Sequence, residues 1–219
     1  MTRFGAIVLA GIVAAGCSGG GSKNANTTTT RPAPTTTTRT AAATSVAVAK
    51  AARLKLSDLP PGWKAAPHAP TDQSESALNK RIAACLGVDL NVVSTDRQPH
   101  ADSEDFTGPA GQQVTSGVAV FRSPVLPTAW VKLYATPKAR TCLAKTVGNP
   151  IDPPKPSVLR LRKVGNGVVG VRLTASGVVV DAAFARRGRA LAYLAVVDPK
   201  GVDESALLAT VIGRLPASP

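Results

Sequence analysis

The chain has 219 residues, with 26 basic against 13 acidic side chains, 44% apolar residues and only 4% aromatic ones. The apolar share suffices for one packed domain. So few aromatic residues, with no nucleic-acid motif, argue against a nucleic-acid binder despite the formal charge of +13. Seven basic and no acidic residues precede Asp58, so the remainder carries a moderate +6.

Taken in order, the chain opens with Arg3 and then the uncharged apolar run Phe4 to Gly16. Crossing a bilayer as a helix needs ~20 residues, so this run is too short to span. It closes with Ala14-Ala15-Gly16-Cys17, small residues before a cysteine, as a signal peptidase requires. This end resembles the lipobox of bacterial lipoproteins, with Ala14 where that family usually has Leu. The resemblance implies a lipoprotein signal peptide over residues 1–16 and lipid on the sulfur of Cys17. The protein would then be held at the outer face of the cell membrane; ordinary cleavage at the same place would leave it secreted.

Residues 17–56 read as the lipidated cysteine followed by a disordered linker rich in Thr, Pro and Ala. Thr27–Thr30 and Thr35–Thr38 flank Arg31-Pro32-Ala33-Pro34, and nothing in the stretch forms a core. A flexible tether of this length averages ~35 Å end to end, and a polyproline-like one reaches ~110 Å. It resembles the O-glycosylated tethers of actinobacterial surface proteins; the Asn26-Thr27-Thr28 sequon reads as accidental in that setting.

With Cys17 assigned to lipid, Cys85 and Cys142 remain, and an even pair in an exported domain points to a disulfide. Closing 57 residues, it would stabilise the fold by roughly 4 kcal/mol. The alternatives are a metal site, which needs more ligands than two distant cysteines and two histidines supply, and a nucleophilic thiol, which needs a base beside it.

Residues 57–219 read as a single domain. Leu59-Pro60-Pro61-Gly62-Trp63 predicts a rigid turn and an apolar anchor, with Trp63 docked on a sheet. The spacing of Leu78, Ile82, Cys85 and Leu86 predicts a helix from Ser74 to Leu86, stopped by Gly87, with Cys85 facing inward. Gln112 to Arg122 reads as a strand. Thr128 to Tyr134 and Pro137 to Val147 read as two helical pieces split at Pro137, with Cys142 on the second. Pro150 to Pro156 is a connector.

From Val158 the period becomes two: Leu159 and Leu161 alternate with Arg160 and Arg162, Gly165-Asn166-Gly167 suggests a hairpin turn, and Val169, Val171 and Leu173 continue one face. Strands are expected over Val178–Ala185 and Ala190–Val197, then a helix from Asp203 with Leu207, Leu208, Val211, Ile212 and Leu215 covering the sheet. The fold class is α+β, an antiparallel sheet of about five strands with two to three helices packed on one face.

Together, the lipobox, the Thr-rich tether, Leu59 to Trp63, and Cys85 and Cys142 on successive helices resemble secreted actinobacterial lipoproteins. Their domains are similar to PsbP-like envelope proteins and to extracellular sensor domains of bacterial serine/threonine kinases. The resemblance transfers no catalytic residue, and it implies a non-enzymatic binding or accessory role in the cell envelope.

No residue set favours a reaction. His68 and His100 sit beside prolines in expected surface loops, outside any zinc or nucleophile spacing. Asp96, Asp102, Glu104 and Asp105 gather in one expected acidic loop without EF-hand spacing. No metal and no cofactor is expected, and the ligand-binding residues are left unassigned. The expected partners are the membrane through the lipid anchor, and an envelope lipid, an anionic polymer or a protein. A small apolar or anionic ligand would sit between sheet and helices. The alternatives are a hydrolase or transferase acting on the cell wall, and a structural spacer whose basic residues, around Arg122 to Lys163 and at Arg186, Arg187 and Arg189, adhere to anionic polymers.

Overall fold

The computed structural model describes residues 36–68, 73–89, 98–147 and 153–217. Cys17, residues 1–16, the first tetrathreonine block and Asp96 lie outside the described residues.

Thr36–Ala52 forms helix α1, inside the segment expected to be linker. Ser45, Ala49 and Ala52 recur at helical spacing and are buried, as is Leu54, so packed structure begins at about Ser45 and not at residue 57. The Thr and Ala composition concealed a stripe of small residues that lets a helix lie close on a sheet. A short 3-10 turn, Leu56–Asp58, follows. Arg214 grips the Asp58 carboxylate with both guanidinium NH2 groups and also donates to the Arg53 carbonyl at 3.0 Å. This joins the start of the domain to its end.

Eight antiparallel strands make one sheet: β1 (Lys64–Ala66), β2 (His100–Asp102), β3 (Asp105–Thr107), β4 (Gln113–Val120), β5 (Lys155–Val158), β6 (Gly167–Ala175), β7 (Val178–Arg187) and β8 (Ala190–Val197). The order is β1-β3-β4-β8-β7-β6-β5, with β2 also on β4. The three strands beyond the expected five include β1, β2 and β3, each three residues long and too short to show a period. The first expected hairpin is displaced. β5 falls where the connector was expected, and the chain leaves the sheet after Leu159, whose N–H still reaches the Gly170 carbonyl at 3.1 Å. Gly170 is required there, because a Cβ would lie 2.8 Å from Leu159 Cβ. Gly165-Asn166-Gly167 instead braces the β7–β8 turn, with Asn166 N–H donating to the Arg186 carbonyl and Gly188 N–H to Asn166 Oδ1.

Helices α2 (Gln73–Leu86), α3 (Val125–Tyr134) and α4 (Pro137–Val147) cover one face, as expected, with α3 starting three residues earlier than its spacing suggested. Thr136 breaks the α3–α4 pair, its Oγ1 accepting from Ala139 N–H. Under these helices Trp130, Tyr134 and Phe184 form an aromatic centre, with Tyr134 stacked on Phe184 at 4.7 Å between ring centroids. The opposite face carries a second layer, α1 and α5 (Glu204–Gly213), so the sheet is covered on both sides. α5 begins next to Asp203, as the sequence predicts, and Asp203 caps it by accepting from Ala206 N–H. Trp63 is half-buried against the α1 and α5 side, consistent with its expected docking.

Cys85 and Cys142 form the expected disulfide, with Cα atoms 5.7 Å apart. Cys85 does not face inward: it is exposed on α2, while Ile82 and Leu86 take the buried face and Cys142 is the buried partner.

Candidate functional site

A group of titratable side chains lies where β2, β3 and β4 meet. β2 places His100 and Asp102 on the face that carries α2 to α4, with Ala101 turned to the opposite core. Asp102, Gly117 and Tyr193 occupy one row across β2, β4 and β8. The Tyr193 hydroxyl passes over Gly117 and donates to Asp102 Oδ1 at 2.5 Å. A Cβ on Gly117 would overlap the Tyr193 ring, so glycine is what permits the contact. Arg53, after α1, donates to the Asp102 carbonyl at 3.1 Å. Burial pushes the Asp102 carboxyl up, and the Tyr193 hydrogen bond and the charges of His100, His68 and Arg53 pull against that rise.

Beside it, His68 Nδ1 meets Asp105 Oδ1 at 2.8 Å, and its buried Nε2 has no hydrogen-bond partner among the described residues. His100 Nδ1 bonds the Gln98 carbonyl at 2.9 Å. Ser103 Oγ donates to the Glu104 carbonyl and accepts from Ser116 N–H, which pins the bend between β2 and β3. Thus His100, Asp102 and Asp105 belong to strands and not to one loop, and His68 is largely buried, unlike the surface histidines expected. Alternation of Ala101 with His100 and Asp102, and of Phe106 with Asp105, was the available signal; strands of three residues made it too brief to read. Chemically, the cluster is an oriented imidazole and a tyrosine-bound carboxyl. No serine, threonine or cysteine is hydrogen-bonded to His68 Nε2 among the described residues, and no group of three metal-ligating side chains is found there.

A second buried group lies under the start of α5. Asp181, fully buried on β7, receives Arg172 Nε at 2.7 Å and its NH2 group at 2.6 Å. Burial, then the hydrogen bond with Asp181, pushes Glu204 up to about 7. The sequence gave no hint of this trio, since its members are 9 and 23 residues apart along the chain and only sheet register with helix docking joins them.

Buried apolar side chains form a packed cluster on each face of the sheet. Open depressions occur at the surface around the start of α3. One of about 310 Å³ is lined by Gln98, Phe121, Arg122, Ser123 and Leu126, and one of about 400 Å³ by Pro124, Val125, Thr128, Ala129 and Lys132. No helix among the described residues is long and apolar enough to cross a membrane.

No protein-family model matches the chain, and no curated protein matches it. Among solved structures it is distantly similar to the extracellular domain of PknH from Mycobacterium tuberculosis, with 15% identity, a TM-score of 0.39, and coverage of 68% of this chain and 98% of that one.

Proposed function

We propose that this chain is a lipid-anchored accessory protein of the cell envelope, located outside the cytoplasm, that binds its partner through its surface and catalyses no reaction. The observation that carries the reading is the distribution of the three cysteines. Cys85 and Cys142 are joined in a disulfide, which suits an oxidising compartment, and Cys17 is left over at the end of a lipobox-like segment. The open depressions around the start of α3 favour a protein or envelope surface as partner over a ligand held between sheet and helices. Expression of the full chain in a lipoprotein-processing bacterium tests this. Intact mass should show cleavage before Cys17 with added diacylglyceryl and acyl groups, and Cys17→Ser should lose the added lipid mass. A chain that keeps residues 1–16, or is cleaved without lipid, overturns the anchor.

The His68–Asp105 pair supports a second reading, a hydrolase acting on wall polymers, because an aspartate-oriented imidazole is a general-base arrangement. Hydrolysis of purified cell wall that is abolished by His68→Ala or Asp105→Asn would favour it over the accessory role.

A further inference from the structure

From Phe106 to Ile151 the sequence holds no acidic residue and five basic ones, Arg122, Lys132, Lys138, Arg140 and Lys145. That stretch includes the whole of α3 and α4. The ion pairs His68–Asp105, Arg162–Asp203, Arg172–Asp181 and Arg214–Asp58 all lie on other elements. Asp203 and Glu204 open α5 on the opposite side of the sheet, whereas α3 and α4 present one sign of charge.

At the N-terminal end of α3 this basic region carries an apolar tip. Val125 is 68% exposed, the most exposed large apolar side chain among the described residues, and Pro124 beside it is also exposed. Arg122 lies with half-buried Leu126 on one side of the tip, and Lys132 with Ala129 on the other.

We infer that the start of α3, with Val125 at its tip and Arg122 and Lys132 beside it, is a docking surface for an anionic lipid bilayer. Cations at this spacing attract an anionic headgroup layer. A polymer or a hydrated anion would satisfy Arg122 and Lys132 but offers nothing to Val125, Pro124 and Leu126. A bilayer offers both, with an apolar layer directly beneath the charged one. The inference rests on the proposed envelope location. Eighteen residues separate Cys17 from α1, ~23 Å end to end as a flexible tether, enough chain for a domain anchored at Cys17 to turn this face to the membrane.

The test uses the chain from residue 18 onward, which lacks both Cys17 and the apolar run Phe4 to Gly16, so it reads the surface independently of the anchor. In flotation with phosphatidylcholine vesicles, with and without phosphatidylglycerol, the protein should bind only the anionic vesicles, and binding should weaken as salt rises. Val125→Asp and Lys132→Glu should each weaken binding about tenfold, judged against the worth of one charge or one inserted side chain at a membrane. Val178→Asp, an equally apolar exposed position on the β6–β7 turn, should leave it unchanged. Circular dichroism checks that the variants are folded. Equal binding to neutral vesicles, or undiminished binding of folded Val125→Asp, overturns the inference. So does displacement by a soluble polyanion that binds Val125→Asp as well as the parent, which would assign the patch to wall polymers.

Discussion

Tyr193 and Asp102 are 91 residues apart in sequence and share a 2.5 Å hydrogen bond across Gly117, the residue between them in the β2-β4-β8 row. Tyr193→Phe should leave a buried carboxyl without its donor, lower stability by about 2 kcal/mol and push the Asp102 carboxyl further up. Gly117→Ala should cost about 2–3 kcal/mol, because the added methyl group overlaps Tyr193 and approaches Asp102 Oδ1 to 2.5 Å. Urea unfolding of both variants checks this. If Gly117→Ala unfolds at the same urea concentration as the parent, the steric account fails.

Glu204 should make the protein less stable as pH rises. Its carboxyl titrates near 4.5 in the absence of the fold and at about 7 within it, so between those values the folded state keeps a proton that the unfolded state has lost. Stability from this group is therefore greatest below 4.5, falls through the window and levels off above 7. Glu204→Gln mimics the protonated form, and should flatten that slope and gain about 2 kcal/mol above neutral pH. Thermal unfolding from pH 4 to 8 reads both chains, and parallel curves would remove Glu204 as the cause.

Tyr134 is fully buried in the aromatic centre, and its hydroxyl has no hydrogen-bond partner among the described residues. Burial pushes its ionisation upward, as expected for a phenol shut away from water. Tyr134→Phe keeps the stack on Phe184 and removes the unpaired group, so it should be neutral or stabilising by about 1 kcal/mol. A loss of more than that in calorimetry would reveal a partner for the hydroxyl.

The surface reading and the buried clusters bear on the proposed function in different ways. Contact with a membrane or partner needs the exposed start of α3. The Asp102 and Asp181 groups are tied into sheet and helix, where they brace the scaffold that presents it.

Sequence alone determined the elements whose side chains repeat often enough to show a period: α2, the α3–α4 pair with its break before Pro137, β4, β7, β8 and α5 from near Asp203. It also singled out Cys85 and Cys142 as the disulfide pair, since cysteine parity needs no geometry. The sequence reading expected helices on one face, yet the two-sided covering left a trace in it, because Ala190 to Val197 is apolar at every position, the pattern of a strand packed on both faces. The tertiary structure decided the rest. Three-residue strands have no readable period, and α1 shows its small-residue stripe only once a sheet lies beneath it. The outward turn of Cys85 followed from Ile82 and Leu86 taking the buried face. The polar clusters were invisible in the chain because strand register and helix docking, not sequence proximity, bring Asp102 to Tyr193 and Glu204 to Asp181.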